Sequence, residues 1–232
     1  MLKALQQQVR SRAMTPAPFR PHLARAAREW AAGEQWRNAW APHLARCRGL
    51  LDTMIDDIAP RHTVVVLGTG SLDGLPIEGL GRCFERVVLV DRAHLAAGLS
   101  RTRRYPQIER VWAELAFARA DDLTGFIARF DAVDWVISAN LLAELGESRS
   151  EAIDAHLDGL KALPCPATLI SPLDYRVMNR HGVLLRGGSL LDGRDMPRSG
   201  ERWKWERRPL SSPRATSREV QMVGAWADWR KT

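Results

Sequence analysis

The stretch Thr63–Asp91, TVVVLGTGSLDGLPIEGLGRCFERVVLVD, decides how this chain is read. Thr63-Leu67 is an apolar, β-branched run of strand length, and it leads directly into Gly68-Thr69-Gly70. A second apolar run, Arg86-Val90, ends in Asp91, with a helix of modest length fitting between them at Ile77-Phe84. A strand that enters a Gly-X-Gly turn lets backbone N–H groups come close to a ligand. An acidic residue at the end of the next strand is placed to accept hydrogen bonds from a ribose diol. A larger residue at Gly68 or Gly70 would obstruct that approach and the φ it requires. The pairing of this turn with Asp91 points to a nucleoside-containing cofactor; the alternative is an α/β scaffold that keeps its glycines for turn geometry alone.

The same rhythm continues towards the carboxyl end. His94-Arg104 reads as a helix, Ile108-Ala113 as a short strand and Ala132-Ser138 as a strand. Glu147-Leu163 reads as a helix ended by Pro164, and Ala167-Ser171 as a strand stopped by Pro172. Such βαβ units build a parallel sheet with right-handed crossovers. Val183-Leu191 is short, apolar and glycine-rich. Trp203-Arg207 and Glu219-Val223 then alternate polar and apolar residues around Pro209, Ser211, Ser212 and Pro213, as in an antiparallel pair closing one edge of the sheet.

Towards the amino end the pattern changes. Residues 1-20, with Pro16, Pro18 and the adjacent Pro21, read as a loosely held polar tail. From about 22 to 59 apolar residues recur at helical spacing: Leu23, Ala26, Ala27 and Trp30, then Trp36 and Trp40, then Leu44, Leu51, Met54, Ile55 and Ile58. Gly33 and Pro42 are expected to divide this region into two or three helices. The expected organisation is a tail and helical cap over 1-59 and a Rossmann-like domain over 60-232. Trp30, Trp36 and Trp40 either pack the cap onto a core or form an aromatic lid over a substrate pocket.

Composition narrows the class. In 232 residues, 45% are hydrophobic and 26% charged, the balance of a soluble globular protein. No apolar run reaches the roughly 18 residues of a membrane span, and the start, MLKALQQQVRSRAM, has no secretory pattern, so the cytoplasm is the default expectation. Cys47, Cys83 and Cys165 are odd in number and far apart, which fits buried thiols rather than disulfides or a zinc site. The histidines lack metal-site spacing, so no metal is expected. The net charge of +7 is nearly all arginine, with lysine only at Lys3, Lys161, Lys204 and Lys231, and together with the many alanines it resembles the codon bias of a GC-rich genome. Arg101, Arg103 and Arg104, then Arg202, Lys204, Arg207 and Arg208, form the densest basic patches. They read as solvated faces, with a basic substrate groove as the alternative; the net charge leaves nucleic acid as a weakly supported partner.

A parallel Rossmann-like sheet finished by an antiparallel hairpin resembles the class I S-adenosylmethionine-dependent methyltransferases over about residues 60-225. The segments GTGSLDGLP, VLVDRAHL and ISANLLAEL also resemble those of bacterial proteins, which implies a divergent bacterial member. The resemblance implies that Gly68, Thr69 and Gly70 touch the methionine part of the cofactor. It implies that Asp91, with Arg92 following, binds the ribose hydroxyls, and that Asp121 or Asp122, with Leu123 beside them, meets the adenine amine. It implies that the fourth strand and its exit at Asn140 face the methyl group and the acceptor. Three departures stand out: Val66 where the family is usually acidic, Leu72 in place of a third glycine, and Asn140-Leu141-Leu142-Ala143 in place of the Pro-Pro-aromatic run of enzymes that methylate exocyclic amines of bases.

The expected activity is therefore methyl transfer from S-adenosylmethionine to a small molecule or a protein side chain. Asn140 either orients the acceptor or caps the next helix, Glu144 acts as a base or faces solvent, and Tyr175 is a hydrogen-bonding candidate for catalysis. His43 in the cap and His94 beside Asp91 are border candidates or ordinary packed histidines. Two other readings remain. One is a nicotinamide-dependent oxidoreductase, against which Asp73 stands where its third glycine belongs. The other is a methyltransferase-like fold without catalysis that serves as a binding or assembly subunit.

Overall fold

The computed structural model describes residues 2–148, 150–211 and 215–232. Its centre is one mixed sheet of β1 (Thr63–Leu67), β2 (Arg86–Asp91), β3 (Ile108–Trp112), β4 (Val133–Ala139), β5 (Ala167–Asn179), β6 (Leu184–Ser189), β7 (Glu201–Arg208) and β8 (Ser217–Trp226). The order is β3-β2-β1-β4-β5-β8-β7, with β6 paired to the outer half of β5. The first five strands are parallel, and β6, β7 and β8 join antiparallel. This is the Rossmann-like sheet with an antiparallel carboxyl-terminal edge that the sequence implied.

β1 is buried at every position because helices cover both faces of the sheet. Its side chains alternate between two cores. Val64 and Val66 pack with Leu51, Ile55 and Leu80, from α3 (Arg37–Asp57) and α4 (Ile77–Cys83). Val65 and Leu67 pack with Leu123, Ile153 and Leu160, from α6 (Ala120–Ile127) and α8 (Glu151–Lys161). Each fully buried side chain of this kind contributes about 1.5–3 kcal/mol relative to exposure. After β1 the chain builds β2 and β3 on one side, then returns to place β4 and β5 on the other. The order reverses between β1 and β4, and a crevice opens beyond their carboxyl ends.

Four expectations need correction. Residues 1-20 are not a loose tail: α1 (Leu2–Arg12) leads into a 3-10 helix, Ala17–His22, and then α2 (Leu23–Gln35). The hold on α1 is polar, which hides it from a hydrophobic pattern. Ser11 Oγ accepts from Ala96 N at 2.9 Å and Gln7 Oε1 from Ala97 N at 3.2 Å, capping α5 (Ala96–Thr102) from another helix. The cap helices divide at Trp36 (φ −110°, ψ 28°), and both Gly33 and Pro42 lie inside helices. Gly33 is there because a Cβ would come within 3.1 Å of the Trp40 ring.

Pro172 does not stop β5. Pairing with β4 ends at Ile170 and pairing with β6 begins at Asp174, so a missing N–H at Pro172 falls in the gap between ladders on that edge. The helix expected over 147-163 is two helices, α7 (Leu142–Ser148) and α8, with Arg149 between them outside the described residues; Ser212 and Pro213 of the expected turn are also outside them. α6 was not expected at all. Among the described residues, no helix is long and apolar enough to cross a membrane.

Candidate functional site

The crevice at the switch point is a cleft of about 290 Å³ between the carboxyl ends of the strands and the amino-terminal helices α2 and α3. Its floor begins at the β1 turn. Gly68 (φ +79°) donates its N–H to Val90 O at 3.0 Å, and a Cβ there would meet Ala139 O at 2.7 Å. Gly68 is therefore demanded by the neighbouring strand exit. Gly70 (φ +50°) is different: nothing lies within 4 Å of where its Cβ would be. It leaves a backbone surface open to the cleft. Leu72, also at positive φ (+67°), is buried, and its side chain would lie 3.0 Å from a Cβ on Gly98 in α5. It lines the cleft without filling it.

Asp91 faces this turn. Its Oδ2 accepts from Gly70 N at 2.9 Å and Thr69 Oγ1 at 3.1 Å, and its Oδ1 accepts from Ala93 N at 3.1 Å. The glycine turn and the acidic strand end thus form one hydrogen-bonded unit. A carboxylate offers about four lone-pair sites, so one on Oδ1 is left for a hydroxyl. The Thr69 hydroxyl is a rotor whose departure would free a second. A ribose diol fits this carboxylate with a turn of one side chain.

Arg92 lines the same end and pairs with Glu144 at 2.6 Å. The cap comes over it through α2 and the residue before it. His22, Arg25 and Glu29 stand at helical spacing on one face. His22 Nε2 lies 3.2 Å from Glu114 beyond β3, Arg25 lies 3.8 Å from Glu144, and Glu29 pairs with Arg207 on β7. Three elements, the β3 exit, α7 and β7, thus hold one stripe of the amino-terminal helices. Asp73 is held by Arg101 at 2.8 Å, while Arg48 of α3 donates to the Asp73 carbonyl at 2.6 Å.

The far half of the cleft is aromatic. On β7, Trp203 and Trp205, two apart, share a face, and Arg207, at a register shift between Glu206 and Arg208, turns to the same side. The Arg207 guanidinium sits 4.7 Å from the Trp40 ring and 4.9 Å from the Trp205 ring. His43 stacks on Trp205 with centroids 4.2 Å apart, and Trp203 Nε1 donates to His43 Nδ1 at 3.0 Å. Burial, with Arg207 adding to it, pushes the His43 imidazole down to about 3, and burial pushes the Cys47 thiol up to about 12. Both are uncharged near neutrality. Ile170, Pro172, Leu190 and Gln221 complete this end.

Of the residues expected in the site, Gly68, Thr69, Gly70, Asp91, Arg92 and Asn140 come together in the cleft lining, as do Glu144 and His43. Asn140 (φ +58°) is exposed at the β4 exit and fixes its own N–H on Ile170 O at 2.7 Å. The others lie elsewhere. Asp121 and Asp122 open α6, where Asp122 Oδ2 accepts from Arg119 N at 3.1 Å, and Leu123 is fully buried in the core. Tyr175 lies on the outer half of β5 with its ring over Gly188. His94 is buried, bonded to Val111 O at 3.1 Å and edge-on to Trp112; burial lowers its pKa. Sequence reasoning missed His22, Arg25, Glu29, Arg207 and Gln221 as parts of the cleft. The signal for Arg207 was present in the alternation Trp203, Trp205, Arg207.

No family model matches the chain, and no curated protein matches it. Among solved structures it is similar to 1,6-didemethyltoxoflavin-N1-methyltransferase of Burkholderia thailandensis with bound 1,6-didemethyltoxoflavin and S-adenosylhomocysteine, at 16% identity over 92% of this chain and 92% of that one, with a TM-score of 0.45. It is also similar to DhpI in complex with SAM and HEP, at 14% identity over 95% of this chain and 97% of that one, TM-score 0.40. A third is the 23S rRNA methyltransferase ErmE, at 11% identity over 78% and 69%, TM-score 0.35. At identities and TM-scores this low, ligand and substrate have to be read from the cleft itself.

Proposed function

We propose that the protein is an S-adenosylmethionine-dependent methyltransferase acting on a small molecule. The observation that carries this reading is the hydrogen-bonded unit of Gly70 and Asp91 at the point where strand order reverses, opening onto an aromatic pocket. When bound, the cofactor supplies an electrophilic methyl group on a sulfonium. The open backbone at Gly70 admits its amino-acid end, and Asp91 accepts from its ribose, a charge-assisted contact. Ala93 and Leu115 give the apolar wall beside Asp91, while Asp121, Asp122 and Leu123 stay outside the cleft lining. Arg92 and Glu144 hold the rim. Asn140, at the β4 exit, orients the acceptor. Much of the chemistry asked of such a site is alignment.

Two features favour this cofactor over a nicotinamide dinucleotide. A pyrophosphate needs a helix N-terminus directly after the glycine turn, whereas α4 begins only at Ile77, behind Pro76. Asp73 would also set a carboxylate beside the phosphates. The small-molecule acceptor is favoured over nucleic acid because the cap roofs the cleft and the arginines at it are paired with carboxylates. The reading as a binding or assembly subunit draws on one observation: Asp91 already accepts three hydrogen bonds from its own chain.

Calorimetry with S-adenosylmethionine, S-adenosylhomocysteine and NADH separates these. Binding of either sulfur compound, lost in Asp91→Ala, supports methyl transfer; binding of NADH alone refutes it. Binding of none leaves the scaffold reading.

A further inference from the structure

Resting on the methyl-transfer reading, we propose that the far half of the cleft takes a small, uncharged acceptor that attacks through an atom bearing no proton, an aromatic ring nitrogen being the plainest case.

His43 on α3 receives the Trp203 Nε1–H at its Nδ1, so its own proton sits on Nε2 and the neutral ring has no nitrogen left to take another. Cys47, one turn further along α3, is held as a thiol by burial, and its Sγ lies 3.8 Å from the His43 ring nitrogens. Glu29, from α2, is paired with Arg207, from β7, whose guanidinium lies over Trp40 and Trp205. Towards the cofactor end, Glu144 is paired with Arg92, Asp73 with Arg101, and Asp91 with the N–H and O–H groups of its own turn. His22 lies 3.2 Å from Glu114, which follows β3 at the opposite edge of the sheet from the β7 strand that carries Trp205. Among the described residues lining the acceptor half, each ionisable group is already engaged by a partner of its own.

Charge selects in the same direction. Trp40, Leu44, Ile170, Leu190 and Trp205 form an apolar surround. A charged acceptor would lie among these apolar side chains without a counter-ion of its own, since Arg207 and Glu29 are already paired with each other, and an unpaired charge is costly to take out of water. The hydrogen-bonding groups on offer are neutral amides. Gln221 gives an N–H to Glu219 Oε1 at 2.9 Å, which leaves its carbonyl oxygen to accept, and Asn140 closes the other side. A volume of about 290 Å³ for the whole cleft keeps the acceptor compact.

The step balances without a base. The ring-nitrogen lone pair forms the N–CH3 bond, the C–S bond breaks with its electron pair going to sulfur, and the positive charge passes from the sulfonium to the methylated ring. The product leaves as a cation, disfavoured by the pocket that accepted its neutral precursor.

The test uses the full chain and three probes of one shape: isoquinoline (neutral ring nitrogen), 2-naphthol (an O–H to be ionised) and 2-naphthoate (an anion). Binding to the S-adenosylhomocysteine complex is read by saturation-transfer NMR and tryptophan fluorescence, and turnover by release of S-adenosylhomocysteine from S-adenosylmethionine. Isoquinoline is expected to bind at least about tenfold more tightly than 2-naphthoate and to be methylated at a rate that stays level from neutral to mildly alkaline pH. Tighter binding of 2-naphthoate, or turnover of 2-naphthol, overturns the proposal. So does binding of S-adenosylhomocysteine without isoquinoline, and that result leaves the methyltransferase reading standing. Failure to bind either sulfur compound removes both.

Discussion

Replacing the two glycines of the β1 turn by alanine, one at a time, separates what the fold needs from what the ligand needs. Gly68→Ala meets two obstacles. Its φ of +79° costs an L-residue roughly 1–2 kcal/mol, and its Cβ would press against Ala139 O at 2.7 Å and Leu141 Cβ at 3.2 Å, both in the strand exit beside it. Overpacking of that kind adds about 1–3 kcal/mol. The sum is about 3 kcal/mol, and at about 2–4 °C per kcal/mol for a chain of this size the melting temperature should fall by about 9 °C. Gly70→Ala meets only the backbone cost, since its Cβ would stand in open space. It should lose about 1 kcal/mol and about 3 °C. That same open space is the approach to the cleft, so Gly70→Ala should weaken S-adenosylhomocysteine binding by about tenfold or more while the protein stays folded. Scanning calorimetry and titration calorimetry on both variants make the check. If Gly70→Ala melts as early as Gly68→Ala, or binds like the parent, the division of roles is wrong.

Three further outcomes are expected. Asp91→Asn keeps the shape but loses the charge and sets an amide against Gly70 N–H; S-adenosylhomocysteine affinity should drop by about tenfold or more in titration calorimetry, and parental affinity would show that the carboxylate does not serve the ligand. Burial holds His43 down to about 3, and holds His156, which is fully buried on α8 with its Nε2 2.8 Å from Ser138 Oγ, down to about 4, while their unfolded forms titrate near 6.5. The unfolded state therefore binds more protons below that value, and stability present at neutral pH should be lost as the pH falls from about 6.5 towards 4, at about 1.4 kcal/mol per pH unit for each histidine; urea unfolding that is flat over this window contradicts the assignment. Glu29→Gln breaks a partly exposed pair and should cost at most about 1 kcal/mol, yet speed tryptic cleavage within residues 1–59; an unchanged cleavage rate would mean the pair does not hold the cap.

The parts of the fold that were legible in the sequence are those where burial alone sets the pattern. β1 came out at its observed limits because every residue from Thr63 to Leu67 is inside, and the glycine turn and Asp91 meet as their spacing implied. The reading of residues 1-20 failed because α1 docks through Gln7 and Ser11 rather than through leucines; Leu2, Leu5 and Val9 point outwards. Pro172 misled because only the sheet's own pairing reveals that its edge position has no partner to lose. The aromatic half of the cleft joins Trp40 and His43 to Trp205 and Arg207, residues far apart in the chain, and no local pattern announces such a meeting. Trp40 packs in the core and also lines the cleft.

The stripe of His22, Arg25 and Glu29 has a consequence for how the cap behaves in solution. Two of its fastenings, Arg25 to Glu144 and Glu29 to Arg207, are ionic and lie partly in solvent. Electrolyte therefore weakens them over a screening distance of about 8 Å at physiological strength. Heat, by contrast, acts mainly on the apolar seam where Leu23 and Ala27 meet Ala93 and Leu95. Added salt should therefore hasten ligand entry and exit at the roof without melting the protein, so the rates of both would record the ionic medium.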